Sequence, residues 1–137
     1  MDKVGNLLEK IEQRSIVPNL SLTEEEIEAA LNQRDNPQFA ETWMKAFHQI
    51  ETMKRAKQDA DPRIGRLREV AYLQAYERWR SADLAAYISD DFGLIGDALA
   101  TDYNDSWMNG LLYAYLSLRF PQGNLAERAG RLGDDLG

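Results

Sequence analysis

The sequence predicts an all-α fold, a single compact bundle of five to six helices with a weakly ordered C-terminal tail. Three observations predict it. Apolar residues recur at three- and four-residue steps along most of the chain. Prolines and capping residues punctuate those stretches. Neither an alternating strand pattern nor an Asn-Gly or Asp-Gly hairpin signal is present. With 137 residues the chain has the length of one domain, and it divides into a helical domain, residues 1–121, and a tail, residues 122–137, packing loosely on it.

The first helix is expected over residues 2–14, with Val4, Leu7, Leu8 and Ile11 on one face. Residues 15–22 contain Pro18 and Asn19 and read as a loop. Thr23-Glu24-Glu25-Glu26 has the spacing of a capping box and opens a short helix to about residue 32. Asp35-Asn36-Pro37 ends that helix or starts the next, with Asn36 as cap and Pro37 at the first helical position. Phe39, Trp43, Phe47, Ile50 and Met53 then form the apolar stripe of a strong third helix. Asp59-Ala60-Asp61-Pro62 is the next break, with Asp61 as cap. The fourth helix carries Ile64, Leu67, Val70, Ala71, Leu73, Tyr76 and Trp79. An arc that wide predicts a central helix with neighbours on more than one side.

Ser81 caps a fifth helix over residues 82–101, with Leu84, Ile88, Phe92, Ile95 and Leu99 facing inward. Gly93 and Gly96 lie inside it, each costing up to ~1 kcal/mol against alanine. Either the helix breaks near Ser89 or the glycines permit close helix packing. Asp105 or Ser106 caps a last helix over residues 107–120, with Trp107, Leu111, Ala114, Tyr115 and Leu118 inward and Pro121 as the stop. The tail contains Gly123, Gly130, Gly133 and Gly137, with Leu125 and Leu132 as anchors, and is expected to hold one weak set of helical turns around residues 125–131 before fraying.

The chain has no cysteine and one histidine, and its formal net charge is -7. Absent cysteine excludes disulfides, a thiolate nucleophile and thiolate-bound zinc or iron–sulfur clusters. A single imidazole excludes sites that need two. The N-terminal segment is polar and unlike a secretory signal, and the apolar runs fall far short of the ~20 residues of a membrane span. A cytoplasmic protein is expected. An acidic total disfavours nucleic acid and anionic membranes as partners, both being polyanions. Serine-nucleophile motifs, phosphate loops and dinucleotide-binding glycines are missing. No catalytic residue, metal or cofactor is assigned. His48 falls on the polar face of the third helix and reads as a solvated histidine.

The acidic excess is localised. Residues 1–68 hold 11 basic and 12 acidic side chains, and residues 69–137 hold 5 basic and 11 acidic. Residues 81–118 contain Asp83, Asp90, Asp91, Asp97, Asp102 and Asp105 and no lysine or arginine. Asp83, Asp90 and Asp97 are seven apart, which places them on one face if the fifth helix is continuous. Upstream, Lys54, Arg55, Lys57, Arg63, Arg66 and Arg68 make a basic knot. The two blocks can face each other inside the fold, or the aspartates can act as helix caps. The alternative is an acidic docking surface, since clustered like charge costs self-repulsion and speeds association with a basic partner.

Tyr103 and Tyr113 stand near this stretch as candidate exposed anchors, tyrosine being enriched at interface hot spots. The candidate partner-binding set is therefore Asp83, Asp90, Asp91, Asp97, Asp102, Tyr103, Asp105 and Tyr113. On charge and size, the expected function is a small protein-binding module for a basic partner. Its most concrete form is an inhibitor or immunity-type protein that neutralises a toxin or nucleic-acid-active enzyme such as a nuclease. The alternatives are a carboxylate-based metal-binding protein or enzyme using the aspartates, and a bundle that self-associates as a homodimer.

Overall fold

A computed structural model describes residues 2–57 and 61–136. Asp2 opens the chain's first helix: its carboxylate accepts from the backbone N–H of Gly5 (3.1 Å), and α1 runs Lys3–Glu12 with Val4, Leu7 and Ile11 buried. The following segment contains a 3-10 turn, Val17–Asn19, and is lined with core residues: Ile16, Val17, Leu20 and Leu22 are all buried. Two buried bonds pin this region: Trp79 Nε1 donates to the Leu22 carbonyl and Gln74 Nε2 to that of Ile11, both at 2.9 Å. Glu26 reaches back to the backbone N–H of Thr23 (2.9 Å), so the expected cap forms. It first closes a 3-10 turn, Glu24–Glu26, which runs into α2, Ile27–Arg34.

Asn36 caps α3, Pro37–Lys57, its side chain accepting from the N–H of Gln38 at 3.0 Å. Phe39, Ala46 and Ile50 are buried along it, and Trp43 and Phe47 pack against the core from its edge. Asp59 and Ala60, part of the expected break, lie outside the described residues. Asp61 accepts from the N–H of Arg63 (2.9 Å), and α4 runs Arg63–Trp79. α4 packs on α1, on α5 and on the 3-10 turn at Val17, which explains its wide arc. Leu73 and Tyr76 are the exceptions; they are 57% and 40% exposed rather than inward.

Ser81 accepts from the N–H of Leu84 (3.2 Å) and caps α5, Ala82–Thr101, one continuous helix. α5 is the hub of the bundle, touching α1, α2, α3, α4 and α6 (Ser106–Leu116). Its glycines serve that packing. A Cβ on Gly96 would stand 2.7 Å from Ile64 Cδ1 and 2.9 Å from Leu67 Cδ2, so α4 approaches α5 through the missing side chain. At Gly93 the obstructing atoms belong to the flexible Arg68 side chain.

Three helices end alike. At Arg14 (φ 62°), Asp102 (φ 58°) and Leu118 (φ 61°) the backbone turns left-handed. The next N–H then reaches back to the carbonyls of Lys10, Ala98 and Ala114 at 3.3, 2.9 and 2.8 Å, closing orphan carbonyls of the last turn. This is why α6 stops at Leu116 instead of residue 120. Leu118 reverses the chain, and its carbonyl accepts from the N–H of Ser21 (2.8 Å).

The expected turns around residues 125–131 do not form. Asn109 Nδ2 instead donates to the carbonyls of Arg128 (3.1 Å) and Gly130 (2.6 Å), and the N–H of Arg128 to that of Ser106 (2.9 Å). Gly110 makes room for this, since a Cβ there would sit 2.1 Å from the Ala126 carbonyl oxygen. One 3-10 turn, Asp134–Leu136, closes the described chain. Leu132 and Leu136 are buried, and the Leu132 carbonyl accepts from Lys3 Nζ at 2.6 Å. Among the described residues there is no strand, and no helix is long and apolar enough to cross a membrane.

Replacing Gly96 by alanine should lower stability by about 1–3 kcal/mol, because overpacking outweighs the gain in helix propensity. Gly93→Ala should cost less, since Arg68 can move aside. Urea denaturation of the two variants reads the difference. A Gly96→Ala protein as stable as the parent would contradict the close approach of α4.

Candidate functional site

The acidic residues of α5 and the turn after it fall into four environments. Asp91 is fully buried and accepts four bonds. Arg34 Nη1 and Nη2 donate to its two oxygens at 2.7 Å each, Trp43 Nε1 to Oδ1 at 2.9 Å and the Tyr115 hydroxyl to Oδ2 at 2.5 Å. The Arg34 guanidinium also lies 4.5 Å from the ring centroid of Phe39, 4.9 Å from Tyr87 and 5.2 Å from Phe120. Burial works against the Arg34 charge, but the Asp91 carboxylate outweighs it and holds the guanidinium above its ordinary range. Burial, then the charge of Asp91, holds the Tyr115 phenol well above its ordinary range. Asp91 is therefore corrected as a docking residue: a carboxylate with no exposed surface and four internal donors presents nothing to a partner.

Asp90 and Asp97 face the basic knot. Arg68 Nη2 lies 2.8 Å from Asp90 Oδ1, and Lys54 Nζ lies 3.2 Å from both Asp97 Oδ2 and Glu51 Oε1. Burial, only partly countered by Lys54, holds the Asp97 carboxyl above its ordinary range. Burial likewise disfavours the Lys54 charge, yet the bonds to Asp97 and Glu51 prevail and raise it. Asp97 is thus an internal counter-charge, while the Asp90–Arg68 pair is half-exposed on both sides. Exposed pairs of that kind contribute ~0–1 kcal/mol.

Asp102 pairs with Arg131 of the tail at 2.6 Å, and that guanidinium holds its carboxyl below the ordinary range. Asp105 caps α6, accepting from the N–H of Trp107 at 2.6 Å. Tyr103 is half-buried, its hydroxyl 2.6 Å from Gln49 Oε1 and 3.0 Å from Asp105 Oδ2. Burial, together with Asp105, pushes its phenol up to about 12. Tyr113 is exposed, with the Arg128 guanidinium 3.8 Å from its ring centroid. The eight candidates therefore do not form one surface. Asp83 and Asp90 share the open face of α5, Tyr103 and Asp105 line a different cleft between α3 and the tail, and Asp102 and Tyr113 lie elsewhere.

Asp83 is exposed and has no side-chain hydrogen bond or ion pair among the described residues. With Tyr87 and Asp90 it follows the helical steps that align residues on one face. The Tyr87 hydroxyl donates to Asp35, at the end of α2, and this bond, with burial and the Asp35 charge, raises the phenol above its ordinary range. Arg34, Asp35 and Tyr87 were not legible as site residues. Their alignment depends on contacts more than fifty residues apart in sequence. Among the described residues no group of three or more histidine, aspartate or glutamate side chains comes together in a way that could hold a metal ion.

A family model described as Immunity protein PIM1 matches residues 6–122, and the chain belongs to this family. No curated protein matches the chain significantly.

Two outcomes follow from the buried pair and the perturbed phenols. Asp91→Ala should cost about 3–5 kcal/mol in chemical denaturation, since it strands the Arg34 charge, whereas Arg34→Met with Asp91→Leu should cost much less than the two single losses together. Additive losses would mean that the pair is not a unit. On the alkaline side, an unfolded tyrosine ionises near ~10, below Tyr103 at about 12. The folded state then binds the phenolic proton more tightly than the unfolded state. Stability is full below pH ~10 and falls as pH rises from there towards 12. Titration followed by phenolate absorbance should show that Tyr103→Phe loses one phenol's share of the amplitude near pH 12, while the raised phenols of Tyr87 and Tyr115 still ionise late; an unchanged amplitude near pH 12 in that variant would refute the assignment.

Proposed function

We propose that this chain is the cytoplasmic immunity partner of a protein toxin and neutralises it by forming a stoichiometric complex. Membership of the immunity family over residues 6–122 carries this reading. The charge layout supports a basic partner. Even after the internal pairs form, the chain keeps its net charge of -7, and Asp83 and Asp90 remain on the open face of α5. A nucleic-acid-active toxin fits this chemistry well, because clefts that hold phosphate are basic and a rigid array of carboxylates competes for them. Within the candidate set, Asp83 and Asp90 are proposed as the residues that meet the partner. Asp97 and Asp91 act from inside the fold, and Asp102 and Asp105 hold the tail and α6.

The test uses the product of the adjacent open reading frame. Co-expression should suppress its toxicity, and the purified proteins should form a complex whose association rate falls steeply with salt. Asp83→Lys should lower that rate about tenfold at low salt. A neighbouring product that neither binds the chain nor loses toxicity in its presence would sink the proposal.

A further inference from the structure

Beside the buried Arg34–Asp91 pair lies a groove of about 230 Å³, open to solvent. One wall is the α3 surface of Ala40, Trp43 and Met44; the other is the ring of Tyr87 from α5. Met44 is 42% exposed although its thioether is apolar, and among the described residues nothing covers that part of it. Asp35 and Asp90 stand at the rim. Asp35 has no basic partner among the described residues, and the Arg68 that pairs with Asp90 is itself half-exposed and exchangeable. Arg34 also lines the groove; it is 4% exposed, and its Nε is buried without an acceptor.

Resting on the partner-binding reading above, we propose that this groove receives a basic side chain, arginine or lysine, projecting from the toxin. Apolar walls under a carboxylate rim match a side chain with an aliphatic stem and a cationic head. The stem lies along Met44 and Tyr87, and the head meets Asp35 and Asp90. A purely apolar occupant would desolvate two carboxylates without pairing them, and an acidic one would meet Asp35, Asp83 and Asp90. An arginine has the further advantage of stacking on Tyr87 while pairing in a fork with a carboxylate.

The experiment measures binding of the adjacent frame's product to the wild-type chain, to Asp35→Asn with Asp90→Asn, to Met44→Ala, and to the distant control Leu73→Ala. Thermal melts confirm that each variant folds. The double carboxylate variant is expected to bind at least tenfold more weakly and with less salt dependence, Met44→Ala several-fold more weakly, and Leu73→Ala within twofold. Alanine replacement of each arginine and lysine of the toxin should then find one whose loss is large against the wild-type chain and small against the double variant. If the complex forms but the double variant binds like wild type, the basic occupant is overturned while the immunity reading stands. Loss of affinity in Met44→Ala alone overturns it in favour of an apolar occupant. If the wild-type chain forms no complex, the immunity reading fails and the groove proposal fails with it.

Discussion

The bidentate contact between Arg34 and Asp91 is the interaction on which the rest of the structure depends. Removing two charges from water is costly, and their attraction compensates only when the remaining donors and acceptors are also met. Here Asp91 has four donors from three helices other than its own. Arg34 comes from α2, Trp43 from α3 and Tyr115 from α6, so one carboxylate on α5 sets the relative position of four helices. The aromatic rings around the guanidinium exclude water and hold its plane. α2 needs such an anchor more than the others. It buries only Ala30 and Arg34 and has little apolar face with which to choose its own rotation.

The same pair reorders the meaning of the charge pattern. An acidic run with no lysine or arginine between residues 81 and 118 reads locally as unbalanced. In the fold Asp91, Asp90, Asp97 and Asp102 each meet a cation from another element: Arg34, Arg68, Lys54 and Arg131. Two members of the basic knot, Lys54 at the end of α3 and Arg68 on α4, are the counterparts of α5 acids, whereas Arg63 pairs with Asp2 and Asp61 and Arg66 with Glu12 and Glu69. Much of the cluster is therefore architecture. The set proposed to meet a partner is smaller and more specific: Asp83, the exchangeable Asp90, and Asp35, which lies outside the acidic run altogether.

This division tracks what a sequence can carry. Elements whose signals are local were legible: the Asn36 and Ser81 caps, the α3 stripe, and the inward face of α5 down to Ile88, Phe92 and Ile95. Two departures have local causes that composition does not register. α6 stops early because a leucine, not a glycine, takes the left-handed position at Leu118. The tail lies as irregular chain because Asn109 and Gly110 offer its backbone partners better than its own turns. The candidate site was less legible. Nothing around Arg34 marks it as buried, since arginine is rarely so and its partner is 57 residues away. Charge counting could find the acidic block but not which of its members face inward.

On the proposed reading the buried pair also ties stability to recognition. Asp35 follows Arg34 directly, so the lock that fixes the end of α2 also fixes the carboxylate at the groove's rim. Tyr87 touches the Arg34 guanidinium with its ring and Asp35 with its hydroxyl, and Trp43 contributes its indole N–H to Asp91 and a wall to the groove. A purely apolar core of the same volume could match the stability, as buried ion pairs seldom exceed their hydrophobic replacements. It would leave the rotation of α2 and the indole plane of Trp43 to packing alone. On the proposed reading, in which the groove receives a side chain of the toxin, fixed directions of a few rim groups matter more than net stability. On that ground the ion pair is best understood as the element that converts a generic acidic helix face into a shaped one.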